Sequence, residues 1–134
     1  MQEKHLEFIQ NIISRMANNS FILKGWSVTL VTGIIGFSLV NSISHLIFLA
    51  LIPALIFWGL DAYYLWQERL FRKLYDGVRR SKNKDIEPFS LNTKSVKKHV
   101  NNWLITAFSP TIIIFHGAVI LSIFLFIVIL KIGF

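Results

Sequence analysis

Two kinds of pattern run along this chain. The first is the long uncharged run. From Gly25 to Leu60 there is no Asp, Glu, Lys or Arg, and from His99 to Leu130 there is none either. A bilayer span needs only about 20 apolar residues, so these runs predict membrane-crossing helices. The second is the amphipathic stripe. Leu70, Leu74 and Val78 recur every four residues, with Phe71 and Tyr75 one step round. Glu68–Arg72, Arg72–Asp76 and Asp76–Arg80 fall at i,i+4 on the other side. That spacing predicts a helix with one apolar face and a charged, laced opposite face. Its apolar stripe needs a partner, either another copy of the chain or the chain's own soluble segments.

In chain order, residues 1–24 form an amphipathic N-terminal helix, with Leu6, Ile9, Ile13 and Met16 at 3–4 spacing and Lys4, Glu7, Asn11 and Ser14 mostly opposite. Asn18-Asn19-Ser20 interrupts the apolar face and is either a turn or cap before the membrane, or part of a continuous helix with a polar side. Residues 25–41 are the first span. Gly25, Thr29, Gly33 and Gly36, with Thr32, share one side of it, and small residues at this spacing let membrane helices approach closely. The partner is either the second span or another subunit. Asn41–Ser44 is a tight hairpin. Residues 46–66 return as the second span, kinked near Pro53. Residues 67–103 are a cytoplasmic helical region and linker, including a short helix over Thr93–Trp103 with Thr93 as its cap. Residues 104–131 are the third span, broken near Ser109-Pro110. The expected fold is thus all-α: an integral membrane protein of three transmembrane helices, an amphipathic N-terminal helix and a cytoplasmic helical extension.

Composition fits this. Of 134 residues, 54% are hydrophobic and 16% charged, and the mean hydropathy is +0.56. Soluble domains are about 25% charged. Some 24 mixed residues, with Glu3 and Glu7 among them, precede the first apolar run and do not resemble a signal peptide. Residues 61–98 carry ten Lys/Arg against five Asp/Glu, and the hairpin carries none. The excess of Lys and Arg predicts that the N-terminus and the 61–103 region face the cytoplasm and the C-terminus faces outward. Arg79, Arg80, Lys82 and Lys84 are expected to meet anionic lipid headgroups. No aromatic residues interleave with that cluster as a base-stacking surface requires, which argues against nucleic acid.

Candidate chemistry is sparse. The chain has no cysteine, and no HExxH, CxxC or glycine-rich phosphate loop. No cofactor, metal or catalytic residue is expected, and an enzyme is not. Asp61, Glu68, Arg69 and Asp76 read as structural lacing. His5, His45, His99 and His116 stand alone in the sequence. His116 lies inside the third span, where an ionisable group is a functional candidate by default; the simpler reading is a neutral imidazole bonded to a neighbouring helix. Lys24 and Asp61 bound the first uncharged run and sit symmetrically about the hairpin, which predicts an ion pair at headgroup depth. An Asp there without a partner would cost about 2.5–3.5 kcal/mol.

Three blocks carry a resemblance. The first is Arg15–Trp26, RMANNSFILKGW. The second is Phe57–Tyr64, FWGLDAYY, continuing through Glu68–Arg72. The third is Phe89-Ser90 with Phe108-Ser109. Together they resemble the RipA family of small octameric bacterial membrane proteins, over most of the chain. The resemblance implies a protein of the bacterial cytoplasmic (inner) membrane that assembles with itself as a ring of about eight. It also implies a role in stress adaptation or defence, since a pore-like membrane accessory of an RNA-guided CRISPR effector is related. It implies no substrate. The Arg-to-His nuclease-like motif linked to that accessory is absent, because no Arg here has a His five to seven residues after it.

Two functions follow as expectations. One is a ring or pore, lined by Asn11, Asn18, Asn19, Thr29 and Thr32, with Gly25, Thr29, Gly33, Gly36, Leu70, Phe71, Leu74 and Val78 at the oligomer interface. The other is a membrane scaffold whose basic cytoplasmic face recruits a protein partner or anionic lipid.

Overall fold

A computed structural model describes residues 2–80, 93, 97 and 100–133. Among them all regular structure is helical: α1 (Gln2–Val40), a 3-10 segment (Ser44–Ala50), α2 (Leu51–Arg80), α3 (Trp103–Ala107) and α4 (Pro110–Gly133). Three helical stretches are long and apolar enough to cross a membrane: Glu3–Val40, Ser44–Arg79 and Pro110–Lys131.

The first is far longer than a span requires. Thirty-nine residues at a rise of 1.5 Å make α1 about 58 Å long, against a hydrocarbon thickness of about 30 Å. The helix runs unbroken through Asn18-Asn19-Ser20, so the continuous alternative holds and the turn does not. Ser20 is turned inward, where its hydroxyl meets Asp61 instead of capping the backbone. Asn18 faces out, where a polar side chain leaves the helix ladder undisturbed.

The hairpin is closed by a C-terminal cap of Schellman form. Ile43 N–H donates to Ser38 O (3.0 Å) and Ser42 N–H to Leu39 O (3.4 Å), with Ser42 left-handed at φ 57° where glycine is usual. Ser38 Oγ donates to Ile43 O at 2.6 Å. The second span then begins as a 3-10 helix, and α geometry starts only at Leu51. Pro53 therefore lies in the first turn of α2, not at a mid-span kink. Its missing N–H could not have served Leu49 O in α geometry, and the turns before it tighten to i−3 bonds such as Leu51 N–H to Phe48 O.

The third span also starts differently from the expectation. Trp103 opens α3 instead of closing a helix begun at Thr93. The cap is Asn102, whose side chain accepts from Ile105 N at 2.9 Å. Most of the predicted 93–103 helix lies outside the described residues. After the break at Phe108-Ser109, Pro110 occupies the first turn of α4, a position proline favours, and Ser109 O accepts from Ile112 N and Ile113 N.

Two larger apolar cores result, beside a smaller cluster of Ala62, Ala107 and Ile112. Val31, Ile35, Ile47, Ala50, Ala54, Ile123, Ile127 and Leu130 pack at the hairpin end. At the other end Ile9 and Ile13 of α1 pack on Leu74 and Val78 of α2, with Leu6, Phe71 and Tyr75 around them. The Phe71, Leu74 and Val78 part of the stripe is thus covered by the chain's own N-terminal helix. It is not the free oligomer interface expected of it: Leu70, Leu74 and Val78 are buried within one chain. Leu70 and Leu74 recur at α2's buried face just as Ile9 and Ile13 do at α1's, so the two amphipathic faces satisfy each other.

Candidate functional site

Between the two cores lies a polar layer built from three helices. Asp61 of α2 is its centre and is fully buried. α1 supplies Ser20 and Lys24, one turn apart on the face turned towards α2. Ser20 Oγ donates to Asp61 Oδ1. Lys24 Nζ lies 2.6 Å from Asp61 Oδ2 and donates to Ser20 Oγ at 2.9 Å. α4 supplies His116, 1% exposed, whose Nε2 is 2.7 Å from Asp61 Oδ2. One carboxylate thereby ties all three long helices together.

Aromatic groups close the site. The Trp58 ring is parallel to His116 with centroids 6.4 Å apart, and Phe115 meets His116 edge-on at 5.0 Å. Lys24 Nζ stands 5.9 Å above the Phe115 ring. α3 fixes this wall. Trp58 Nε1 donates to Ala107 O (2.9 Å) and Trp103 Nε1 to Gly59 O (3.0 Å), with Ala62, Ala107 and Ile112 packed between. The Trp103 indole lies over Gly59, where a Cβ would meet its ring at 3.6 Å, an ordinary van der Waals contact.

The connectivity defines what the cluster can do. A Ser, a His and an Asp meet, but both Ser20 and His116 bond to the carboxylate. A nucleophilic relay needs the His between the other two. The arrangement instead balances a buried carboxylate with one ammonium and two neutral donors. Among the described residues no group of three or more His, Cys, Asp or Glu could hold a metal ion.

The remaining sequence-predicted residues fall elsewhere. Lys24 and Asp61 come together, as expected of the pair, with Asp61 fully buried inside the chain. His116, solitary in sequence, joins them. Asn11, Asn18, Thr29 and Thr32 lie on the exposed face of α1, with Asn19 half-buried at its edge. Gly25 and Gly33 are exposed and Gly36 half-buried, and a Cβ at any of them meets nothing within 4 Å. The packing of α1 within the chain uses the opposite face: Ser27, Val31, Ile35 and Ser38. The small-residue face is therefore not spent on the second span. Thr29 Oγ1 satisfies itself on Gly25 O at 2.8 Å. Arg79 pairs loosely with Asp76 at 3.7 Å, and Arg72 with Glu68 at 3.0 Å. The side chains of Arg80, Lys82 and Lys84 lie outside the described residues.

Sequence reasoning missed Ser20 and His116 as partners of Asp61. A signal existed: His116 lies about as far from the end of α4 as Lys24 and Asp61 lie from the hairpin, so all three fall at one level. Comparison of the chain with family models, curated proteins and solved structures finds no match.

Proposed function

We propose that this chain is an integral protein of the bacterial cytoplasmic membrane, N-terminus in and C-terminus out, that works as a homo-oligomeric ring with a pore-like centre. One observation carries the reading. The α1 face bearing Asn11, Asn18, Gly25, Thr29, Thr32 and Gly36 points away from the chain's own core along the length of the helix. Beside it runs a shallow groove of about 370 Å³ lined by Thr29, Leu30, Gly33, Ile34, Phe37, Leu46 and Leu49. Uncovered small residues beside such a groove suit the close approach of a second helix. The polar side chains continuing towards the N-terminus suit a wet axis. The resemblance to the RipA family supports a ring of about eight, in stress adaptation or defence.

Native mass spectrometry of the detergent-purified protein tests this. Wild type is expected as a discrete oligomer. At Gly33 and Gly36 an added Cβ meets nothing within 4 Å in the chain, so Gly33→Leu and Gly36→Leu should shift it to monomers with helicity unchanged. A wild-type monomer at micromolar concentration would sink the proposal. In liposomes the rings should leak ions, and Thr32→Leu should abolish the leak.

A scaffold reading has its own support. Arg69, Arg72 and Lys73, with Asp76, Val100 and Asn101, line a cationic recess of about 290 Å³ on the cytoplasmic extension. Assembled rings that leave liposomes tight would favour recruitment of a protein or anionic lipid at that recess.

A further inference from the structure

The buried cluster has one polar atom without a partner. His116 is 1% exposed, and its Nδ1 has no hydrogen-bond partner among the described residues, while Nε2 is bonded to Asp61. This fixes the tautomer that costs least. With the proton on Nε2, the ring donates to the carboxylate and Nδ1 is a bare acceptor. With the proton on Nδ1, a buried N–H would go unpaired and Nε2 would face Asp61 Oδ2 lone pair to lone pair. Ionised Lys24 and Asp61 with neutral His116 then give a cluster of zero net charge in which every N–H and O–H that reaches the carboxylate is used.

Adding one proton upsets this balance in two ways. It gives the buried cluster a net positive charge, since Lys24 already neutralises Asp61. It also places an N–H on Nδ1, among aromatic rings, with no acceptor. The groups facing His116 are Asp61 from α2, with Lys24 and Ser20 from α1 behind it. α3 carries no titratable residue, and His45 of the 3-10 segment belongs to the hairpin end.

We propose that the Ser20–Lys24–Asp61–His116 cluster is a pH-sensitive latch: docked α4 leaves no place for a proton on His116 Nδ1, so acidification favours release of α4 from the α1–α2 pair. At neutral pH the His116–Asp61 bond latches α4 in place. On acidification the proton on Nδ1 makes the docked position costly, and α4 loosens first beside Trp58 and Phe115. The cluster therefore couples proton concentration to helix packing, independently of any oligomer.

The test is thermal unfolding of detergent-purified protein between pH 7.5 and pH 5.5, the range in which imidazole changes charge. Wild type should lose about 3–6 °C of melting temperature. His116→Gln offers an amide donor to Asp61 but cannot titrate, and should melt at nearly one temperature across the range. A variant with His5, His45 and His99 all replaced by Gln keeps His116 as its sole histidine and should retain the wild-type pH dependence. The natural absence of cysteine allows a second reading. Spin labels on Cys substituted at Phe21 and Ile114, both exposed, should report a broader α1–α4 distance distribution at pH 5.5 in wild type and not with His116→Gln. A flat wild-type profile, a profile that His116→Gln leaves intact, or one that disappears in the triple variant would each overturn the proposal.

Discussion

The two ends of this molecule are built on opposite rules. At the N-terminal end of α1 and the C-terminal end of α2, burial follows hydrophobicity. Ile9, Ile13, Leu74 and Val78 are inside, and Glu68, Arg72 and Asp76 lie on the other side of the helix. At the hairpin end hydrophobicity hardly discriminates. On α4, Ile123, Ile127 and Leu130 are buried, while Leu121, Leu125 and Ile129 are exposed. Leu and Ile serve equally well inside or against lipid, because lipid tails are as apolar as they are. Among the described residues, the polar side-chain contact that distinguishes one side of α4 is His116 to Asp61. The lesson is that in the half we place in the membrane a few polar groups decide packing, and in the other half the apolar stripe does.

The largest expected effect therefore comes from one atom's worth of chemistry. Asp61→Asn keeps the shape of the side chain but leaves Lys24 without its counter-ion. Removing one partner of a buried pair costs about 3–5 kcal/mol. Lys24 is 23% exposed and can reach partly towards water, which places the expected loss near 3 kcal/mol. Reversible unfolding in mixed micelles would measure it. Exchanging the charges, Lys24→Asp with Asp61→Lys, should rescue little, because His116 Nε2 would then face an ammonium where the carboxylate had accepted its proton. A loss below 1 kcal/mol for Asp61→Asn would show that packing, not the polar layer, holds this end together.

The next effect separates the two ends by their leucines. Leu74 is fully buried, and Leu74→Ala should cost about 2–5 kcal/mol, with the lower values if Ile9 and Ile13 close over the gap. Leu125 on α4 is 53% exposed, and Leu125→Ala should change stability by less than about 0.5 kcal/mol. Equal costs would mean that the outer face of α4 is covered in the protein as isolated, and would bring the third helix into the oligomer interface.

This contrast also explains what could be read from the sequence. The stripe Leu70/Leu74/Val78 was legible as a helix face because polar residues frame it, although its partner was open between two readings. The Lys24–Asp61 proximity was legible because antiparallel helices count back equally from a hairpin. Helix existence was legible throughout the long runs. The bounds were not. Asn18-Asn19 is compatible with a cap or a continuous helix until Ser20 is seen to bond across to Asp61. The 3-10 start of the second span depends on how Pro53 shifts its neighbours' hydrogen bonds, and the break at Phe108-Ser109 on how Asn102 and Pro110 each start a helix. The face of α4 was illegible because a uniform apolar run has no preferred side. His116 was noticed, but its partner is 55 positions away on another helix.

The smallest effect completes the comparison on a single helix. Glu68 lies two turns beyond Asp61 on α2, and it too is paired with a cation, Arg72 Nη2 at 3.0 Å. Glu68→Gln is the same chemical change as Asp61→Asn, carboxylate to amide with shape conserved. Its surroundings differ. Arg72 is 59% exposed, so the guanidinium stays largely solvated in the pair and after losing it, while the Glu68 carboxylate, 13% exposed, is more covered but not sealed off as Asp61 is. A pair of this kind contributes about 0.3–0.5 kcal/mol, and salt screens it. Glu68→Gln should therefore cost no more than that at low salt and nothing resolvable at about 0.5 M, whereas the cost of Asp61→Asn should persist in salt because its partner group is buried. Unfolding of both variants at two salt concentrations provides the measurement. If the two substitutions cost the same, or if salt erases both, then Asp61 is no better shielded than Glu68 and the polar layer does not organise the three helices.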